Sequence, residues 1–359
     1  MNKIEYENIS AFHPGYYISD LIKDLEMTQE EFAKRLNITP KNLSDLINGK
    51  ASISENIAKN LSLMLGTSVD MWLELQKKYD QKVIEIKALQ VQRDEETDLA
   101  QIDYSYFEKL GVVNPTKDKT QQVSSLFKYF AISSFSVFKK LDFLVQFRQT
   151  QCVDEKIVLN SNAWVQTVIN IGKQIETQPY SEKRLKEYLP QIREMTMQNP
   201  SEFLPQLSQI FSECGVAFVL IPSLKNSGVY GATKWINKDK VILGITNRGK
   251  YADIFWFSLL HQLGHVFQRK VTKTLVDFET SDLIEDYENE ADQFAKDLLI
   301  PPKEYESFIA VATFSEQKVR DFANSIKIHP GIIVGRLQKE GFLPYTHLNK
   351  LKQKYIILN

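Results

Sequence analysis

His261-Gln262-Leu263-Gly264-His265 continues the apolar run Phe255-Trp256-Phe257-Ser258-Leu259-Leu260, and this block constrains the fold more than any other stretch of the chain. Two histidines four residues apart on a helix lie on one face, ~5.4 Å apart along the axis. A helix that is apolar on nearly every side is a buried central helix, where two uncompensated imidazoles are costly. The spacing also lets both rings share one zinc ion. The pair is therefore read as half of a metal site.

A zinc site that does chemistry usually takes three protein ligands and leaves one position open. The segment Glu285-Asp286-Tyr287-Glu288-Asn289-Glu290-Ala291-Asp292-Gln293-Phe294-Ala295 brings carboxylates on a second helix, which Pro301-Pro302 stops. On a helical wheel Tyr287, Ala291, Phe294, Ala295 and Leu298 form the inward face. Glu290 borders that face on one side and Glu288 on the other. Glu285 and Asp292 point away, as a solvated acidic face would. Spacing alone leaves Glu290 and Glu288 as rivals.

The stretch from about Gly228 to Pro302 resembles the ImmA/IrrE family of zinc metallopeptidases. The likeness is carried by Gly231-Ala232, Arg248-Gly249-Lys250, Asp253, Phe255-Trp256-Phe257-Ser258-Leu259, the HQLGH block, and Glu290-Ala291-Asp292 with Phe294-Ala295 and Leu298-Leu299-Ile300-Pro301. The resemblance implies zinc held by His261, His265 and Glu290. It departs at Gln262, where the H-E-x-x-H motif of the family has a glutamate. Gln is nearly isosteric and still hydrogen-bonds, but its amide cannot take a proton from water or pass one to a leaving amine. Losing a general base costs ~100-fold to ~10,000-fold in rate. Two histories fit Gln262: a natural pseudo-peptidase, and an active enzyme silenced by a glutamate-to-glutamine change.

The other end of the chain reads as short helices from about Gly15 to Asp80. Ile18, Leu21, Ile22 and Leu25 make one stripe, and Thr28-Gln29-Glu30-Glu31 is a capping box opening the next helix. Asn37-Ile38 turns the chain, and Thr39-Pro40 starts a helix with an N-cap and a first-turn proline. Asn48-Gly49 ends it. A further helix holds Ile57, Leu61 and Met64, and Ser68 caps one containing Met71, Trp72 and Leu75. Two short helices about a tight turn, with small Ala33 inside, are a helix-turn-helix arrangement.

Residues 13 to about 79 resemble the Cro/repressor class and, within it, the HigA-type antitoxins. The residues carrying this are His13-Pro14-Gly15, Met27-Thr28-Gln29-Glu30-Glu31-Phe32-Ala33 and Leu43-Ser44-Asp45-Leu46-Ile47-Asn48-Gly49-Lys50. The Thr39 to Asn48 helix is then the one for the major groove. Thr39, Lys41, Asn42 and Ser44 face away from its apolar stripe, towards base edges or phosphates, and Gln29 and Lys50 are phosphate-contact candidates. Acidic residues outnumber basic ones over residues 1 to 80, so a helical interaction module that binds no DNA is the competing reading. DNA binding calls for a homodimer on a two-fold operator.

Between these ends, Gln76 to Gln101 carries Val83, Ile86 and Leu89 at helical spacing, and Phe127, Tyr129, Phe130, Phe135 and Phe138 read as core. Three β-rich runs precede the histidine helix: Val216–Ile221, Val229–Ile236 and Lys240–Ile245. Gly231 fits either close approach of an extended peptide to a strand edge or a simple bulge. His329, in His329-Pro330-Gly331, is a candidate for stabilising an oxyanion.

With a net charge of −1 the chain has no global polyelectrolyte character. Cys152 and Cys214 lack metal-ligand spacing and read as buried thiols, and no apolar run approaches a membrane span. A cytoplasmic protein with no membrane partner is expected. The fold class expected is α+β, predominantly α: a helix-turn-helix domain at 1–80, a helical connector at 81–200 and a zincin-like domain with a small sheet at 201–359. The function expected is a DNA-binding regulator or antitoxin with a zinc endopeptidase domain acting on a toxin, a repressor or the chain itself, nearly inactive with Gln262. One alternative is a repressor with a zinc-binding pseudo-peptidase scaffold. The other is a peptidase whose helical head only recruits substrate.

Overall fold

The computed structural model describes residues 3–140, 154–247, 250–268, 281–311 and 313–355, the side chains of 281–285 excepted. Cys152, Arg248, Gly249 and the Glu285 side chain lie outside the described residues. The chain forms two compact units, Met1–Thr97 and Asp98–Asn359.

The first unit opens with an antiparallel hairpin, β1 (Lys3–Tyr6) and β2 (Ile9–Phe12). Helices α1 (Pro14–Asp24), α2 (Gln29–Arg35), α3 (Pro40–Ile47), α4 (Glu55–Leu65) and α5 (Val69–Leu99) follow. Side-chain acceptors fix the starts of α1 to α4: His13, Thr28, Thr39 and Ser54 each accept from a first-turn backbone N–H. Only half of the predicted capping box forms, because Glu31 turns to Arg35 at 2.6 Å while Thr28 caps. Asn37, at φ 58°, makes the left-handed residue of the turn between α2 and α3. Ile18, Phe32, Ala33, Leu36, Leu43 and Leu46 interlock beneath the helices, with Trp72 closing the cluster from α5.

The second unit carries α6 (Tyr104–Lys109), α7 (Lys119–Phe130), α8 (Glu155–Gln174), α9 (Glu182–Glu194) and α10 (Pro200–Glu213). Next come β3 (Val216–Ile221), β4 (Gly231–Asn237) and β5 (Lys240–Thr246), then α11 (Ala252–Gln268), α12 (Ser281–Leu299), α13 (Pro302–Ile309), α14 (Glu316–Ser325) and α15 (Pro330–Lys339). The strands lie in the order β3-β5-β4, with β3 parallel and β4 antiparallel to β5. All three were legible in the sequence.

Both faces of β3 and β5 are covered, which explains why these strands are almost continuously apolar rather than alternating, whereas β4 carries Thr233 and Lys234. Val216, Val241, Leu243 and Ile245 face a core shared with Trp256, Leu259 and Leu263 of α11. Ala217, Val219, Ile221 and Ile242 face the opposite core, with Trp164, Val168 and Ile169 of α8 and Phe130, Phe135 and Phe138 before it. The expected connector at 81–200 is thus corrected. One helix, α5, runs through residue 80, and α8 is a layer of the sheet-containing unit. Periodicity showed helices there, but only the sheet reveals what α8 covers.

The start of α11 is held from the C-terminal side. Ala252 N donates to Gln353 O at 2.9 Å, Trp256 Nε1 donates to the Tyr355 hydroxyl at 2.8 Å, and Asp253 pairs with Lys352 at 2.6 Å where both are nearly buried. Cys214 is buried and free. No described helix is long and apolar enough to cross a membrane.

Candidate functional site

Helices α11 and α12 pack closely because residue 264 is glycine: a Cβ there would stand 3.0 Å from Ala291 Cα. The close crossing brings His261, His265 and Glu288 together. The two Nε2 atoms are 3.1 Å apart, and Glu288 places one carboxylate oxygen 3.3 Å from each. The ligand-type atoms of these three residues all lie within 4.8 Å of one another. The imidazoles are mostly buried, with side chains 14% and 16% exposed.

The outer nitrogens show what the inner ones carry. His261 Nδ1 sits 2.7 Å from Asp292 Oδ1, and His265 Nδ1 sits 2.9 Å from Gln268 Oε1. An acceptor beside each Nδ1 places a ring proton there, and each Nε2 faces Glu288. Two imidazole nitrogens and a carboxylate converge here, the kinds of atom that hold a cation. Two nitrogens, a carboxylate and an anchored second ring nitrogen on each histidine are the donor set of zinc sites. Burial pushes His261 down, but Asp292 and Glu288 outweigh it and raise its pKa. Burial likewise pushes the Glu288 carboxyl up, and the two histidines overcome this to hold it well below the usual carboxylate range.

The carboxylate brought to the histidines is Glu288 and not Glu290. Glu290 is exposed and accepts from Gln268 Nε2 at 3.2 Å. The buried line of α12 runs through Ala291, Ala295 and Leu299, which turns Glu288 and Asp292, one helical turn apart, towards α11. The inward stripe read from the sequence ran through Tyr287, Ala291, Phe294, Ala295 and Leu298; Ala291 and Ala295 are on the buried line, but the stripe as a whole was rotated and so placed Asp292 on the wrong side.

Gln262 follows His261 on α11 beside the edge strand β4. Thr233 Oγ1 of that strand lies 2.9 Å from Gln262 Oε1 and 3.1 Å from Gln262 O. A Cβ at Gly231 would come within 2.7 Å of Gln262 Cγ, so that glycine makes room for the Gln262 side chain. His329 is the N-cap of α15, its Nδ1 accepting from Gly331 N at 3.1 Å, and burial lowers its pKa against an opposing pull from Asp253.

In the first unit α3 lies across the core with Leu43, Leu46 and Ile47 inward. Gln29, Thr39, Lys41, Asn42 and Lys50 are exposed and Ser44 is half-buried. Two of the candidates already have local work: Thr39 Oγ1 accepts from Asn42 N at 3.1 Å, and Ser44 Oγ lies 3.3 Å from Asn48 Nδ2. Lys41 and Asn42 stand outermost on the first turn, where a recognition helix meets base edges.

The helix-turn-helix family model matches residues 18–72. The HTH-type transcriptional regulator YddM of Escherichia coli strain K12 is 32% identical over 80 residues, 21% of this chain and 85% of that protein. The chain belongs to the helix-turn-helix family. Virulence-associated protein A' of Dichelobacter nodosus is 42% identical to this helix-turn-helix protein over 69 residues, 19% of the chain and 60% of the relative. An addiction module antidote protein of the HigA family from Coxiella burnetii is 30% identical, covering 24% of this chain and 94% of that one, with a TM-score of 0.22. All these matches fall within about a quarter of the helix-turn-helix protein's length. Sequence reasoning missed two residues that contact the histidines, Asp292 and Gln268. A carboxylate one turn after Glu288, and an amide three residues after His265, were the available signals.

Proposed function

We propose that the chain is a DNA-binding transcription regulator of the antitoxin or repressor kind, whose second unit is a zinc-holding, peptidase-like body. The observation that carries the DNA reading is α3, a short helix on a packed helix-turn-helix scaffold with Lys41 and Asn42 exposed at its start. Since the unit is not basic, phosphate neutralisation by one copy is small, and a homodimer on a two-fold operator supplies the rest. A toxin or repressor is the partner of the second unit, in keeping with the resemblance to HigA-type antitoxins.

In the body, His261, His265 and Glu288 would hold the zinc, with Asp292 and Gln268 behind the histidines. A zinc ion there supplies Lewis-acid polarisation of a bound carbonyl. Proton transfer falls to the side chain next to His261, and Gln262 offers an amide without a basic atom. The body as it stands therefore recognises a peptide partner and cleaves it slowly or not at all. Gln262→Glu restores a general base beside the metal and should gain chelator-sensitive cleavage of a co-expressed partner or of the chain itself. A variant that holds zinc and stays inert favours a scaffold.

A shift assay with DNA from the chain's own promoter tests the leading reading. Affinity should fall as salt rises. Asn42→Ala should lose about 1–3 kcal/mol with relaxed sequence preference, and Lys41→Ala should weaken all sequences alike. No binding at low salt by a folded dimer would favour an interaction module.

A further inference from the structure

We propose that Gln268 is the positioning residue that sets the metal-binding tautomer of His265, and that Glu290 serves it from outside the ligand set. The inference rests on the reading of His261, His265 and Glu288 as a zinc site. Gln268 follows His265 by three residues, on the same face of the last turn of α11. Its Nε2 donates to Tyr287 O at 2.8 Å and to Glu290 Oε2 at 3.2 Å. A backbone carbonyl and a carboxylate only accept, so they fix which end of the amide points where. Oε1 is left to face His265 Nδ1 at 2.9 Å, and an acceptor there requires the ring proton on Nδ1. In the neutral ring that a metal requires, the lone pair is then on Nε2, the atom 3.3 Å from Glu288 Oε1.

The two histidines are thus anchored by different chemistry. A carboxylate, Asp292, holds His261, whereas a neutral amide holds His265 and also grips the backbone of α12. One side chain couples the tautomer of His265 to the position of the helix that carries Glu288. In this arrangement Glu290 steadies Gln268, which accounts for a carboxylate close to the site that does not enter it.

The test uses the full chain freed of metal, zinc ion alone as the probe, and nitrogen NMR of the histidine rings. Gln268→Leu should lower zinc affinity ~10-fold to ~100-fold and give His265 a mixture of tautomers. Glu290→Gln should bind zinc nearly as the parent does. The exchanged pair Gln268→Glu with Glu290→Gln keeps an acceptor at Nδ1 and a donor behind it, and should recover both tight binding and the Nδ1-H tautomer. If Gln268→Leu does not fold, the exchanged pair decides alone. Weak zinc binding or the other tautomer in a folded exchanged pair overturns the proposal. So does unchanged affinity and tautomer in a folded Gln268→Leu. A parent chain that takes up no zinc would instead overturn the metal site itself.

Discussion

Phe32-Ala33, Leu36-Asn37-Ile38-Thr39-Pro40 in the first unit and Phe322-Ala323, Ile326-Lys327-Ile328-His329-Pro330 in the second share one sequence frame. They share one turn as well. Asn37 and Lys327 take the left-handed conformation at φ 58° and 53°. Ile38 N donates to Ala33 O at 3.0 Å, and Ile328 N to Ala323 O at 3.1 Å. A side-chain acceptor then caps a helix whose first residue is proline, Thr39 for α3 and His329 for α15.

From there they diverge. In α3 the residue after the proline is Lys41, exposed; in α15 it is Gly331, whose missing Cβ leaves room for Leu351 O at 2.8 Å. Asn42 and Ser44 have as counterparts Ile332 and Val334, both buried. Arg336, which stands where Leu46 does, lies over the Tyr305 ring at 3.7 Å and donates to Lys296 O. A helix-turn-helix backbone is therefore no evidence of nucleic-acid binding by itself. What matters is whether the second helix is left uncovered, and α15 is packed against α11, the helix of the histidines.

The largest difference between α3 and α15 is expected when one change is placed at both counterparts. Val334→Asp buries an unpaired charge and should cost more than about 4 kcal/mol, enough to unfold the second unit. Ser44→Asp at a half-buried site should stay within about 0.5 kcal/mol. Thermal unfolding with equal losses for both would mean that α15 is as open as α3.

Paired truncations sharpen the division of labour. Leu43→Ala and Ile333→Ala each remove a fully buried side chain and should cost ~2–5 kcal/mol. The first should abolish promoter binding and spare zinc uptake; the second should do the reverse. Zinc loss from Leu43→Ala, with DNA binding kept, would contradict the assignment of the two helices.

The smallest effect is on pH. His13 is the sole histidine of the first unit, buried as the cap of α1 with Nδ1 accepting from Gly15 N at 3.0 Å. Burial lowers its pKa, with Asp80 pulling the other way, so the folded state binds fewer protons than the unfolded one. The stabilisation is present above the ordinary value of 6.5 and is lost as pH falls below it. Hydrogen exchange in α1 and α3 should report a loss below ~1.4 kcal/mol per pH unit, the ceiling for one proton. His13→Asn, which still caps, should flatten it. The Thr39 cap of α3 carries no titratable group and serves as the internal control.

Much was readable in one dimension. The caps Thr28, Thr39 and Ser68, the turn at Asn37, the three strands and the paired histidines depend on neighbours a few residues away, and steric and hydrogen-bonding rules at that range are written in the sequence. The repeated Phe-Ala, Ile and Pro frame stands in the sequence too, but its different use does not. The choice of Glu288 over Glu290, the placing of Asp292 and Gln268, the burial of α15 and the membership of α8 in the sheet's second layer came only with the tertiary structure. Each depends on the rotation of a helix about its own axis. A helix of mixed residues tolerates several rotations, and packing against a partner distant in sequence, as Gly264 against Ala291, selects one.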